Sequence, residues 1–329
     1  MGPIQSGVGA RMNQLFGSDR FPDEQYTDPP GDPGLFGPGS VTWTVHAHPA
    51  MLVGGLGALM LQSLHPLALA GVLDHSDWRQ APLARLSRTS SFVAATTYAS
   101  NPVVDSVIDV VKAVHAKVVG RAADGRPYSA SDPDLLRWIH TAEVASFLRA
   151  YQTYELRPLA RPDQDRYLDE VAVVAYRLGA TDVPGDRSEV SGYFREVRPE
   201  LAVGPEARAT LRFLTKPFGT DPATRTASAL ILGAAADILP GWALAMIGWR
   251  RLPPARRAVL RSSTWGLLNG IRWAGGEPPA VAQAWARCAS TPGAPGRGRA
   301  RGGRARHPVP SAPSAPSSPW QTRSPAAAG

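Results

Sequence analysis

Apolar side chains recur at every third or fourth position through the middle of this chain, and nowhere do they alternate over any length. Val107, Val111, Val114 and Val118 share one helical face, and His115 lies on that face as well. Leu136, His140, Val144, Phe147, Tyr151 and Tyr154 make a second stripe. A strand turns its side chains every second residue, so this period belongs to helices. The expectation is an all-α fold. Ser40 reads as the N-cap of a segment running through His46, Pro49 as the opening of the next helix, and Pro66 as its kink or restart. Ser131-Asp-Pro-Asp134 reads as an N-cap at Ser131 with an acid three residues on. Further helices are expected at 82–100, 163–179, 188–197, 205–214, 223–249 and 254–273, with Gly120 to Ser129 as a polar turn.

Two apolar runs, Ala50–Val72 and Ala227–Trp249, are each about long enough to cross a bilayer. The first contains Gln62, His65 and Pro66, and the second contains Asp237 and Pro240. Polar groups at mid-run are costly in lipid. Both runs are therefore read as central helices of a globular core and not as transmembrane spans, with peripheral membrane contact left open. An apolar content of 43% suits such a core, while Gly and Pro, 32 each, gather towards the two ends. The expected organisation is an irregular arm over 1–39, one large helical domain over 40–289, and a disordered tail over 290–329. That tail is Arg/Gly-rich and then Pro/Ser-rich.

Of the formal charge of +8, six units come from arginines beyond Ser290, leaving +2 on residues 1–289. The basic balance therefore describes the tail, where no aromatic interleaves the arginines to stack on bases, and no specific nucleic-acid partner is expected. The single cysteine, Cys288, excludes an intramolecular disulfide and any Cys-rich metal site. Met1 to Pro33 is polar, without a basic region followed by an apolar core, and the expected location is cytoplasmic. There is no GxGxxG after a strand, no GxxxxGK[ST], no HExxH and no GxSxG, so dinucleotide, NTP, zinc-protease and α/β-hydrolase chemistry all lose support.

Arg85, Arg88 and Thr89 stand at i, i+3 and i+4 and so share a helix face. Two guanidiniums and a hydroxyl suit carboxylates or a polarised oxygen species; spacing alone favours a solvated basic face. His115, among Val111, Val114, Val118 and Val119, has the apolar setting of a haem ligand and equally that of a core histidine bonded to a carbonyl. His140 with Glu143 reads as a helix-surface contact before a ligand–carboxylate pair, and His65 and His75 show no 2-His-1-carboxylate spacing.

Linked motifs in register carry more than these spacings do. Gly34-Leu-Phe-Gly-Pro-Gly-Ser40-Val-Thr-Trp43-Thr-Val-His46, Gly54-Gly55, Gln62, His65-Pro66, Ala70-Gly-Val and His75-Ser76 resemble the DUF2236 family. So do Arg85-Leu-Ser-Arg88-Thr89, His115-Ala-Lys-Val-Val-Gly120, Gly125-Arg-Pro-Tyr128-Ser-Ala, Asp132-Pro and Trp138-Ile-His140. This is the family of the MpaB-type oxygenases and the catalytic domain of latex-clearing rubber oxygenase, and the resemblance runs from about residue 30 to about 275. It implies a helical fold related in its core to globins and holding one haem b. The family's proximal histidine maps onto His115, and its distal motif onto Arg85, Arg88 and Thr89. Rubber-cleaving members carry a lysine where this chain has Arg88; a charged guanidinium is a poor iron ligand, so the resemblance implies a hydrogen-bonding or propionate-anchoring role there. Rubber cleavage is not expected. The resemblance implies a haem-dependent oxidoreductase, an oxygenase taking dioxygen and an apolar or unsaturated small molecule. A haem-binding sensor or carrier without turnover is the alternative, and a haem-free scaffold acting through its Arg-rich tail is a third reading.

Overall fold

Proline cuts this chain into helices. The computed structural model describes residues 24–76, 82–219 and 221–290, with backbone alone at 24–25 and 82–86. In it Pro66, Pro102, Pro133, Pro162, Pro205, Pro222, Pro254 and Pro279 each occupy the first turn of a helix. Proline has no N–H to lose there and its fixed φ suits the turn. The excess of proline is thus used inside the body as well as at its ends.

A short helix α1 (Glu24–Thr27) precedes α2 (Val41–His46), α3 (Met51–Gln62), α4 (Pro66–Asp74), α5 (Pro82–Tyr98) and α6 (Asn101–His115). A two-stranded antiparallel hairpin follows, β1 (Val119–Arg121) with β2 (Pro127–Ser129). Then come α7 (Pro133–Tyr154), α8 (Arg161–Leu178), α9 (Arg187–Glu196), α10 (Pro205–Leu214), α11 (Pro222–Asp237), α12 (Gly241–Ile247), α13 (Pro254–Gly275) and α14 (Pro279–Ala289). The described part is mostly helical, as the periodicity requires.

Ser40 caps α2 through its side chain, which accepts from the Trp43 N–H. Glu170 of α8 adds its carboxylate at the same end, accepting from the Thr42 N–H and Thr42 Oγ1, both at 2.9 Å. A negative charge at a helix N-terminus is favourable, which fixes α2 onto α8. The core is built on α3 and α7, the most extensively packed pair. A Cβ on Gly54 would come within 2.9 Å of the Phe147 ring and 3.0 Å of Phe147 Cα. Only glycine lets α3 approach α7 so closely. Trp138, Tyr167, Met60 and Leu64 are fully enclosed around this contact, each burial contributing about 2 kcal/mol.

Several elements differ from their sequence expectation. The N-cap of α7 is Asp132, whose carboxylate accepts from the N–H groups of Asp134 and Leu135; a carboxylate in that position outcompetes the Ser131 hydroxyl one residue earlier. The expected turn at Gly120–Ser129 is the β1–β2 hairpin, too short for alternation to reveal. Tyr128 Oη donates to Asp74 at 2.6 Å and packs over Gly120, where a Cβ would meet that hydroxyl. The expected helix 223–249 is two helices, broken before Gly241 and bent by 107°, and α3 and α4 are bent by 106° at the break before Pro66. Among the described residues no single helix is long and apolar enough to cross a membrane; these two bent pairs meet the test by length and composition only. Helix α14 was not expected.

The arm from Tyr26 to Asp32 is tied to the body chiefly by one side chain, with Asn101 donating to the Asp32 carboxylate and the Gly31 N–H donating to the Arg287 carbonyl beside it. Arg287 of α14, 2% exposed, donates to the carbonyls of Tyr26, Asp32 and Tyr98 at 2.8, 2.7 and 2.8 Å. By its contacts the chain divides after Pro295, and the second unit, Gly296–Gly329, lies outside the described residues, as does the expected disordered tail. Residues 1–23 of the expected arm lie outside them too.

Candidate functional site

Helix α5 links two regions of chemical interest. Its first half carries Arg85, Arg88 and Thr89; Arg88 and Thr89 are exposed, and the Arg85 side chain lies outside the described residues. Ala99 and Ser100 alone join α5 to α6, and the two helices pack on each other. His115 is the last residue of α6 and half-buried. The face around it is apolar and open: Val110 is 61% and Val114 53% exposed, with Val107, Val111 and Val118 partly covered. Arg85, Arg88 and Thr89 lie in the half of α5 away from the link, and His115 closes the far end of α6.

The second half of α5 faces inward. Phe92, Val93, Thr96 and Thr97 wall a small, partly open chamber with His46 of α2, His140, Glu143, Val144 and Phe147 of α7, and Val171 and Val174 of α8. Phe36 of the arm completes the lining. None of Arg88, Thr89 and His115 lines it. The space inside it is about 20 Å³, room for about one water molecule, whereas sites for drug-sized ligands run to roughly 300 Å³ or more. No porphyrin fits this chamber.

The hydrogen bonds fix the state of His46. Thr97 Oγ1 has one proton, and it donates to the Val93 carbonyl at 2.6 Å. Its contact with His46 Nδ1 at 2.8 Å must therefore be donated by the imidazole. The other nitrogen, Nε2, then accepts from Tyr167 Oη at 3.0 Å. Both nitrogens are committed and the ring is neutral, in keeping with a pKa pushed down to about 3 by burial and then by His140.

His140 and Glu143 are different. The sequence favours an exposed contact between them, yet both are turned into the chamber. His140 is 8% exposed and its Nε2 has no hydrogen-bond partner among the described residues. Burial lowers its pKa to about 4, and burial raises the Glu143 carboxyl to about 7. Tyr167 is raised well above its ordinary value by burial first and by Glu143 and Glu170 after that. Among the described residues no group of three His, Cys, Asp or Glu side chains is placed to hold a metal ion. His65, the N-cap residue of α4, is buried beside Trp138 of α7, and His75 Nε2 contacts the Val119 carbonyl of the hairpin at 3.2 Å.

The helices that make these two regions lie within residues 43–273, and those residues match the family described as ER-bound oxygenase mpaB/B'/Rubber oxygenase, catalytic domain. The chain belongs to this family. Comparison with curated proteins and with solved structures gives no match. The mpaB/rubber oxygenase span opens at Trp43 in α2 and closes at Trp273 in α13, so it holds the α5–α6 face and nearly all of the chamber wall. The arm and α14, with Arg287, lie outside it.

Proposed function

We propose that this member of the mpaB/rubber oxygenase family is a haem b-dependent oxygenase acting on an apolar or unsaturated small molecule, with dioxygen as co-substrate. Membership in a family of oxygenase catalytic domains supports the reaction class. The observation that carries the cofactor reading is His115 on the open valine face of α6. Unsatisfied apolar surface beside an imidazole is what a haem would cover, and the globin-related core belongs to the same proposal.

Haem, when bound, supplies the iron at which dioxygen is activated. His115 would hold its iron. Arg85, Arg88 and Thr89 would supply the polar part of its pocket. A guanidinium offers N–H donors and no lone pair to a metal, so Arg88 would donate hydrogen bonds and not ligate; two guanidiniums and a hydroxyl would hold carboxylates such as haem propionates and would stabilise negative charge. The valines of α6 exclude water and offer an apolar substrate a surface.

The test is the absorption spectrum of the purified protein. The wild type is expected to show a Soret band, and His115→Ala to lower haem affinity by at least ~10-fold. A wild type without haem, or a variant that binds it unchanged, overturns the assignment. Steady oxygen uptake with alkene, terpenoid or lipid substrates separates an enzyme from a gas sensor, which shows spectral change alone.

A further inference from the structure

We propose that the chamber behind α5 is an internal proton-holding site, in which one water bridges the Glu143 carboxyl to His140 Nε2 and a proton passes between them. Hydrogen-bond accounting leads to it. Thr96 Oγ1 donates to the Phe92 carbonyl, Thr97 Oγ1 to that of Val93, and Tyr167 Oη to His46. His46 has both nitrogens engaged. Glu143 has no hydrogen bond or ion pair, and His140 Nε2 has no partner, among the described residues. Phenyl rings and valines make up the rest of the wall.

His140 Nε2 is a buried nitrogen without a partner among the described residues, which is costly in an apolar setting, and a single water held against the half-buried Glu143 carboxyl removes that cost. The volume of about 20 Å³ admits one such water, which needs about 10–15 Å³. The proton rests on the carboxyl, since burial raises Glu143 and lowers His140. Transfer is conservative: the Glu143 O–H bond breaks as the water takes its proton, and the water gives one of its own to His140 Nε2, leaving carboxylate, water and imidazolium. The titratable and charged groups facing the pair are His46 from α2 and Tyr167 and Glu170 from α8; α5 presents only Phe92, Val93, Thr96 and Thr97. Glu170 is engaged with α2 and with Arg166, so it does not compete for the water.

Any use of the site by the reaction rests on the oxygenase reading, since the second half of the helix that bears Arg88 and Thr89 walls this chamber. Its existence does not depend on that reading. Infrared difference spectra of the full chain across pH 5 to 9 test it with or without haem. The expected result is a carbonyl band of a buried carboxylic acid that disappears with a midpoint near pH 7 and is missing in Glu143→Gln. His140→Phe, which fills the ring's place without accepting a proton, is expected to shift that band by removing the far partner of the water. Absence of the band, a midpoint in the ordinary carboxylate range, or a band unmoved by His140→Phe overturns the proposal, and the last comparison holds even if Glu143→Gln does not fold. A haem-free wild type that shows the titrating band sinks the oxygenase reading and leaves the proton site standing.

Discussion

Glu143 and His140 pull the pH dependence of stability in opposite directions. A carboxyl at about 7 in the folded chain, against 4.5 for the ordinary group, holds its proton more tightly folded than unfolded. Its contribution is complete below pH 4.5 and is lost as pH rises to 7, about 3 kcal/mol in all. His140, lowered from 6.5 to about 4, prefers to be neutral when folded. Its contribution is complete above pH 6.5 and is lost as pH falls towards 4, again by about 3 kcal/mol. Between pH 4.5 and 6.5 the two slopes cancel. Denaturant titrations should therefore show that Glu143→Gln exposes a loss of stability towards acid, and that His140→Phe exposes a loss towards pH 7. Parallel profiles for the wild type and both variants would show that neither group is held as described. None of this was legible from residues three apart on one helix, because that spacing is the same on a wet face and in a chamber. What distinguishes them is Phe36, Phe92 and Phe147 closing over the pair from three separate segments.

At the scale of elements, legibility followed the length of the pattern. The stripe from Leu136 to Tyr154 spans five turns, and every predicted member of it is buried. Ser40 and Pro66 mark helix starts because a hydroxyl cap and a missing N–H act locally. The hairpin could not be read, since strands of three residues contain no period, and Tyr128 is held there by Asp74, 54 residues away. Pro240 broke a run that composition alone made continuous. The α3–α7 contact likewise depends on a residue without a side chain. Gly54→Ala is expected to push α3 off the Phe147 backbone, which cannot yield as a flexible side chain would. Overpacking of that kind costs roughly 1–3 kcal/mol. Thermal unfolding measures it, and an unchanged midpoint would mean that the two helices have room to separate. Gly55, whose Cβ would lie 3.8 Å from the same ring, is the matched control: alanine there makes an ordinary contact and should be tolerated.

Across the whole molecule, Arg287 joins parts of the chain that neither local pattern nor the family span connects. It lies in α14, outside residues 43–273, yet its guanidinium reaches Tyr26 and Asp32 in the arm and Tyr98 at the end of α5. Asp32 in turn accepts from the Asn101 N–H and side chain at the start of α6. One buried cation thus anchors the arm at the turn between the two helices assigned to the haem face. Burial lowers the Arg287 pKa, but a guanidinium remains charged, so its compensation must come from these oriented carbonyls and from the nearby Asp32. Arg287→Ala takes the guanidinium donor from three carbonyls, of which only that of Asp32 keeps a weak contact from Cys288 Sγ, and opens a space beside Tyr26. A loss of about 3 kcal/mol follows from hydrogen bonds to a charged group and the desolvated acceptors left behind. Arg287→Lys keeps the charge but replaces a planar fork with a point donor that cannot reach three carbonyls in one plane, so it should recover only a minor part of that loss. Thermal unfolding ranks the three proteins. If lysine restores full stability, charge alone secures the arm. If alanine is neutral, the arm's path over the body is set elsewhere. With the ranking as expected, limited proteolysis should release the arm first in both variants, ahead of any cut in α3 or α7, because the helical core does not need Arg287 to pack.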